Sequence, residues 1–328
     1  MLFKFILRRL LWTIPFLFAV SIVSFLLIQA PPGDYLTTYI ATLAQQGEIV
    51  DQSRIENLQQ RYGLNQPLYV QYFKWLWGML HGDFGISFEW QQPVGDLIWE
   101  RMALTLLLSF ATLVFTWGLA LPIGIYSAVR KYSVGDYVVT FVGFIGLATP
   151  NFLLALVLMY VAVVHFGTDV GGLFSDEYVN APWSLAKVGD LMSHLWLPMI
   201  ILGTASTAGL VRIMRANLLD ELPKAYVTTA RAKGMSEWRL ILKYPVRVAL
   251  NPFISTIGWL LPQLVSGAVI TAIVLNLPLA GPLMLQALMS QDMYLAGAFV
   301  MLLCSLTVLG MLVSDILLAL LDPRVRYS

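Results

Sequence analysis

Charge is scarce in this chain. Only 12% of its 328 residues are charged and 58% are hydrophobic, and the mean hydropathy is +0.74. Soluble domains carry roughly a quarter charged residues. The shortage excludes an ordinary soluble protein, although the length alone would suit two soluble domains. Cysteine is rarer still. Cys304 is the single one, so no internal disulfide forms and no cysteine cluster holds a metal. It lies in an apolar run and reads as a small apolar filler. The histidines, His81, His165 and His194, are scattered. There is no HExxH, no Gly-x4-Gly-Lys-Ser/Thr phosphate loop and no dinucleotide-binding glycine pattern. No catalytic, cofactor-binding or metal-binding residue is therefore assigned. The formal net charge of +1 says nothing of nucleic acid, and none is expected as a partner.

Long apolar runs are what the chain has in plenty, and they predict an all-α polytopic membrane protein with about six transmembrane helices. Lys4, Arg8 and Arg9 precede a run from Leu11 to Ile28. That run is longer than the roughly 7–15 apolar residues of a signal peptide, so an uncleaved first span is favoured over a cleaved leader. Pro31-Pro32-Gly33 ends it. The stretch from Asp34 to Arg101 is mostly polar and too long for a tight loop. A small subdomain on the outer face is expected, with Asp51 or Ser53 capping a helix through Gln60. A second helix from Pro67 would place Tyr72, Trp75, Leu76 and Met79 along one side.

A second span is expected over Met102–Val129, kinked near Pro122 and Gly124. A third covers Tyr137–His165 and is broken at Thr149-Pro150-Asn151. Such a break is tolerated in lipid where it packs on protein or lines a wet path. Phe166 to His194 reads as a second outer loop. The fourth span, Leu195 to about Val211, carries Gly203, Ala205, Ser206, Ala208 and Gly209 for close helix packing. Pro252–Leu275, with Pro262 inside it, is the fifth. Asn276–Met293 is a turn and helix, and Tyr294–Leu321 the last span. Asp315 is the clearest ionisable residue in a span. A pairing role near the interface is the simpler reading, because the spans offer no second buried acid or histidine for a proton relay.

The most charged stretch runs from Leu219 to Asn251. It holds Lys224, Arg231, Lys233, Arg239, Lys243 and Arg247 against Asp220, Glu221 and Glu237. Pro223 suits a first helical turn, the alanines at 225, 230 and 232 favour helix, and Gly234 suits its end. Ser236 is placed to cap a following helix with Leu240, Ile241 and Leu242 as apolar positions. With six spans, fifteen Lys and Arg fall on the side of this connector and five on the other. That bias puts the connector and both termini in the cytoplasm.

Residue order adds a family. Thr229-Ala230-Arg231-Ala232-Lys233-Gly234 resembles the core of the permease subunits of ABC importers, in their oligopeptide/dipeptide branch. Tyr62-Gly63-Leu64-Asn65-Gln66-Pro67-Leu68, Gly82-Asp83-Phe84-Gly85 and the Asp322-Pro323-Arg324 ending resemble the same branch. The general importer pattern places Glu-Ala-Ala where this chain has Thr228, Thr229 and Ala230, so only the alanine matches. The branch commonly has Arg-Thr-Ala there, and Thr228 departs from that as well.

The resemblance implies a type I ABC importer membrane domain. Its organisation would be a first transmembrane helix over 1–30, an extracytoplasmic subdomain over 31–101 and a permease core over 102–328, with the coupling loop at about 216–251. It implies a bacterial inner-membrane permease that moves peptides, or by the same mechanism oligosaccharide or nickel, from a periplasmic or extracellular binding protein into the cytoplasm. The helix over 224–235 would couple to an ATPase subunit through Thr228, Thr229, Ala230, Arg231, Ala232, Lys233 and Gly234, with the small residues permitting close approach. Implied partners are a second homologous permease, two ATPase subunits that hold the ATP and magnesium, a solute-binding protein and the lipid bilayer. The outer segment would then be either a solvated cap or a floor on which the binding protein docks. An ATP-independent membrane enzyme or scaffold using His165 or Asp315 is the competing class.

Overall fold

The structure is a computed structural model. It describes residues 2–29, 66–87, 89–167, 171–257, 263, 268–290 and 292–321. The expected helix over 51–60, the motif residues 62–65, Pro262 and the 322–324 ending lie outside the described residues. Among the described residues the architecture is helical, with a single isolated bridge between Ile86 and Pro93.

Among the described residues, four helices are long and apolar enough to cross a membrane. They are α1 (Leu2–Gln29), α3 (Val94–Val129), α7 (Leu185–Glu221) and α13 (Met293–Leu321). Between α1 and α3 lies α2 (Leu68–Leu80). Helix α3 runs unbroken through Pro122. The 37 residues of α7 span about 55 Å at 1.5 Å per residue, against roughly 30 Å for a bilayer's hydrocarbon core. The helix therefore outruns the membrane. The outer loop expected up to His194 stops at Ser184, whose hydroxyl accepts from the Lys187 N–H at 3.2 Å.

The third span is bent more sharply than a kink. Helices α4 (Val134–Ala148) and α5 (Asn151–Val161) meet at 100° across Thr149-Pro150. At the bend the Ile145 carbonyl accepts from both the N–H and the hydroxyl of Thr149, at 3.0 and 2.8 Å. A single π turn, Ala162–Phe166, follows. The short α6 (Asp176–Val179) then leads to α7. Lys187, buried, donates to the Ala181 carbonyl at 2.6 Å and sits over Phe174 and Trp183.

After α7 come α8 (Ala225–Ala232), α9 (Glu237–Lys243) and α10 (Pro245–Ser255). Then follow α11 (Val269–Val274) and α12 (Ala280–Met289). Of the expected fifth span, only the flanks in α10 and α11 and residue 263 are described.

The chain divides into two compact units, Arg8–Ala103 with Leu279–Leu306, and Met1–Leu7 with Leu104–Pro278 and Thr307–Ser328. In the first, Phe25, Tyr72 and Trp75 form a buried aromatic cluster flanked by Leu76 and Met79, on the helix side expected for them. The Tyr72 hydroxyl is 2.7 Å from that of Ser21. Buried Asp292 accepts from the Ser87 hydroxyl at 2.5 Å and from the Leu295 N–H at 3.2 Å, so it fastens a turn and caps α13 together. Gly85 has φ +84°, and a Cβ there would lie 2.5 Å from the Tyr294 ring, which excludes any side chain.

In the second unit, α3, α4 and α7 pack through small residues. A Cβ on Gly124 would lie 2.7 Å from Met214, and one on Gly203 would lie 2.9 Å from Phe115. A Cβ added at Gly209 would meet nothing within 4 Å among the described residues. Asp315 and Cys304 are both half-buried on α13.

Candidate coupling surface

The connector begins where α7 ends. Its expected first residues, from 216 to Glu221, are the last turns of α7 itself. The short helix α8 starts at Ala225, after Lys224 at the N-cap, so Pro223 precedes the helix instead of opening it. Glu221, buried, accepts from Lys224 Nζ and from the Tyr226 hydroxyl, both at 2.5 Å. That carboxylate ties the first turn of α8 to the end of α7. Burial and the bond to Glu221 push the Tyr226 phenol well above its ordinary value.

The end of α8 is built as the glycine demands. Gly234 has φ +76°. Its N–H donates to Arg231 O at 3.0 Å, and the Met235 N–H donates to Ala230 O at 3.4 Å. These two bonds are the Schellman pair, which satisfies carbonyls that a helix end would otherwise orphan. Ser236 occupies the N-cap of α9 but makes no capping bond with its side chain.

One face of α8 is turned inward. Val227 and Ala230, one helical turn apart, are 0% and 8% exposed. They join Leu240, Ile241, Val246, Ala249 and Phe253 in a core shared with Met214 and Leu218 of α7 and Ala120 and Ala128 of α3. The Phe253 ring meets Trp117 edge to face at 4.7 Å. Burial of an aliphatic side chain such as Val227 contributes about 1.5–3 kcal/mol. Of the expected apolar positions on α9, Leu242 is exposed and stays out of this core.

The seven residues singled out from the sequence therefore do not share one face. Thr228, Thr229, Arg231, Ala232, Lys233 and Gly234 are exposed, and Ala230 is buried against its own chain. Close approach of a partner is open to Ala232 and Gly234 and closed at Ala230. Arg231 is already engaged: its Nε donates to Glu237 at 2.5 Å, with both side chains half exposed. That bond holds the Glu237 carboxyl below its usual range. Lys233 has no ion pair among the described residues.

A second polar node lies further up α7. Asp136, 2% exposed near the start of α4, accepts from Arg215 Nε and Nη2, each at 2.8 Å. It also accepts from the Ser127 hydroxyl and, at 2.9 Å, from the Tyr132 N–H. Four donors thus compensate one buried carboxylate. The pairing joins residues 79 apart in sequence, and it was not among the sites expected from the sequence. The signal was present in an acid flanking Arg130 and Lys131, but nothing in the sequence chose Arg215 as its partner.

The comparisons with known proteins agree with this architecture. The family described as the binding-protein-dependent transport system inner membrane component matches residues 120–327. The N-terminal family of the same transport-system membrane components matches residues 1–109. The chain is 38% identical to the oligopeptide transport system permease protein AppB of Bacillus subtilis (strain 168), covering 98% of this chain and 99% of the relative. It is 32% identical to the oligopeptide transport system permease protein OppB of Haemophilus influenzae, over 99% of each. It is 29% identical to the dipeptide transport system permease protein DppB of Escherichia coli (strain K12), again over 99% of each. The chain belongs to the family of inner-membrane components of binding-protein-dependent transport systems, and it is a permease with the membrane domain of a type I ABC importer.

Proposed function

We propose that this permease carries peptides into the cytoplasm as one of two membrane subunits, driven by ATPase subunits that grip the outward face of α8. The relatives' names favour peptides over oligosaccharide or nickel. ATP and magnesium would be held by the partners. The connector and both termini face the cytoplasm, as the distribution of Lys and Arg supports. The segment 31–101 lies on the outer side, where a solute-binding protein delivers cargo.

One observation carries the coupling role. Helix α8 is pinned on its inner face by Val227 and Ala230 and at its start by Glu221, while its outer face of Thr228, Thr229, Ala232 and Lys233 is bare. A push on that outer face has no soft element to absorb it. It passes through the shared core into the end of α7, and the Asp136–Arg215 pair carries it to α4. Packed interfaces respond to such a push by switching arrangement, not by deforming.

The test is cysteine crosslinking in the reconstituted complex, with Cys304 replaced by serine. Ala232→Cys is expected to crosslink to the ATPase subunit, and Thr229→Glu/Lys233→Glu to cut peptide uptake at least tenfold without loss of assembly. Absence of any crosslink together with full uptake by the double variant would overturn the reading.

A further inference from the structure

The second unit contains a cavity of about 310 Å³ between α3, α4 and α7. It exists because the residues at its floor are small. Gly143 and Gly146 on α4 oppose Ala208 on α7, with an added Cβ at Gly143 still 3.9 Å from Ala208. Phe115, Leu119, Val142 and Leu147 make its walls apolar. One end is different in kind. Ser127, Arg212 and Arg215 line it.

The two arginines are not equivalent. Arg215 is neutralised by Asp136. Arg212 is exposed and has no acidic partner among the described residues. Inside the cleft, the Thr207 hydroxyl is buried without a hydrogen-bond partner among the described residues.

The α7 residues on the lining run from Thr204 to Arg215, about 16 Å along the axis at 1.5 Å per residue. That is one leaflet's half of a roughly 30 Å hydrocarbon core. A greasy slot of leaflet depth, cationic at the end nearest the connector, has the chemistry of a phospholipid site. The guanidinium suits a phosphate through paired N–H donors.

We infer that this cleft binds an anionic phospholipid, with an acyl chain between α3, α4 and α7 and its headgroup phosphate on Arg212. The uncompensated cation selects a lipid of net negative charge over a zwitterionic one. The site does not depend on the coupling reading; that reading only names the leaflet as the cytoplasmic one.

The experiment uses the assembled transporter in nanodiscs of phosphatidylcholine. Trace phosphatidylglycerol or phosphatidylcholine carrying a photoreactive acyl chain is added, and labelled peptides are mapped by mass spectrometry. Phosphatidylglycerol is expected to label the stretches 142–147 and 204–211 about five-fold more than phosphatidylcholine, the preference one arginine confers. Arg212→Gln, an exposed change that leaves the packing intact, brings the two to the same level, and Arg212→Lys keeps most of the preference. Gly143→Leu removes both labels from these stretches.

Equal labelling by the two lipids in the unaltered transporter overturns the inference, as does a preference that survives Arg212→Gln. So does labelling seen in the isolated chain and lost on assembly, since the cleft then belongs to a contact with the second permease.

Discussion

Arg215 grips the Asp136 carboxylate with two parallel hydrogen bonds of 2.8 Å, joining the start of α4 to the last third of α7. The acid is 3% exposed at its side chain and the arginine 26%. That asymmetry decides what each substitution does. Arg215→Ala strands a buried carboxylate and is expected to cost about 3–5 kcal/mol. Asp136→Asn costs less, because the arginine it frees reaches water. Thermal unfolding in detergent checks the order. The double variant Asp136→Asn/Arg215→Ala is expected to be more stable than Arg215→Ala alone.

Ala230 and Ala232 stand two residues apart and face opposite ways. Ala230→Glu drives a charge into the core of Val227, Leu240 and Phe253, at a cost on the order of 3 kcal/mol or more. Ala232→Glu leaves stability unchanged and is expected to lower uptake through the partner surface alone. Melting temperature and uptake, measured side by side, separate the two effects.

Gly234 and Gly209 make a second contrast. At neither would an added Cβ meet an atom within 4 Å among the described residues, but Gly234 has φ +76°. Gly234→Ala is expected to destabilise by about 1–2 kcal/mol through backbone strain alone. Gly209→Ala, in the helical interior of α7, is expected to stabilise by up to about 0.8 kcal/mol. Paired denaturation measurements test both.

Arg231 depresses the pKa of Glu237 from its ordinary 4.5. A depressed carboxylate contributes stability that is fully present above the unfolded value and lost as pH falls through the folded one. The pair therefore braces the α8–α9 turn at neutral pH and releases it in acid. Hydrogen exchange at residues 231–237 is expected to be faster in Glu237→Gln than in the unaltered protein at neutral pH. Below the carboxylate range that difference disappears.

Much of the candidate site was legible in advance because its signals are local. Gly234 announces a left-handed helix end, and the bonds from the Gly234 N–H to Arg231 O and from the Met235 N–H to Ala230 O realise it. The side of α2 bearing Tyr72 and Trp75 followed from helical spacing. Other local readings failed for local reasons. Pro223 suits a first helical turn by propensity, but the chain turns first so that Lys224 and Tyr226 reach Glu221, and α8 opens at Ala225.

The sequence by itself determined that the chain is helical and membrane-bound, because scarcity of charge and long apolar runs leave a backbone in lipid no other means of satisfying its polar groups. It also placed a short cationic helix between two apolar runs, since capping and charge are read over a few neighbouring residues. Tertiary structure alone decided which way Ala230 faces, that Asp136 belongs to Arg215, and that Gly143, Ala208 and Arg212 enclose one cleft. Each depends on how helices distant in sequence are rotated against one another. A single helix carries no record of that rotation, because its facing is set by the neighbour it packs on.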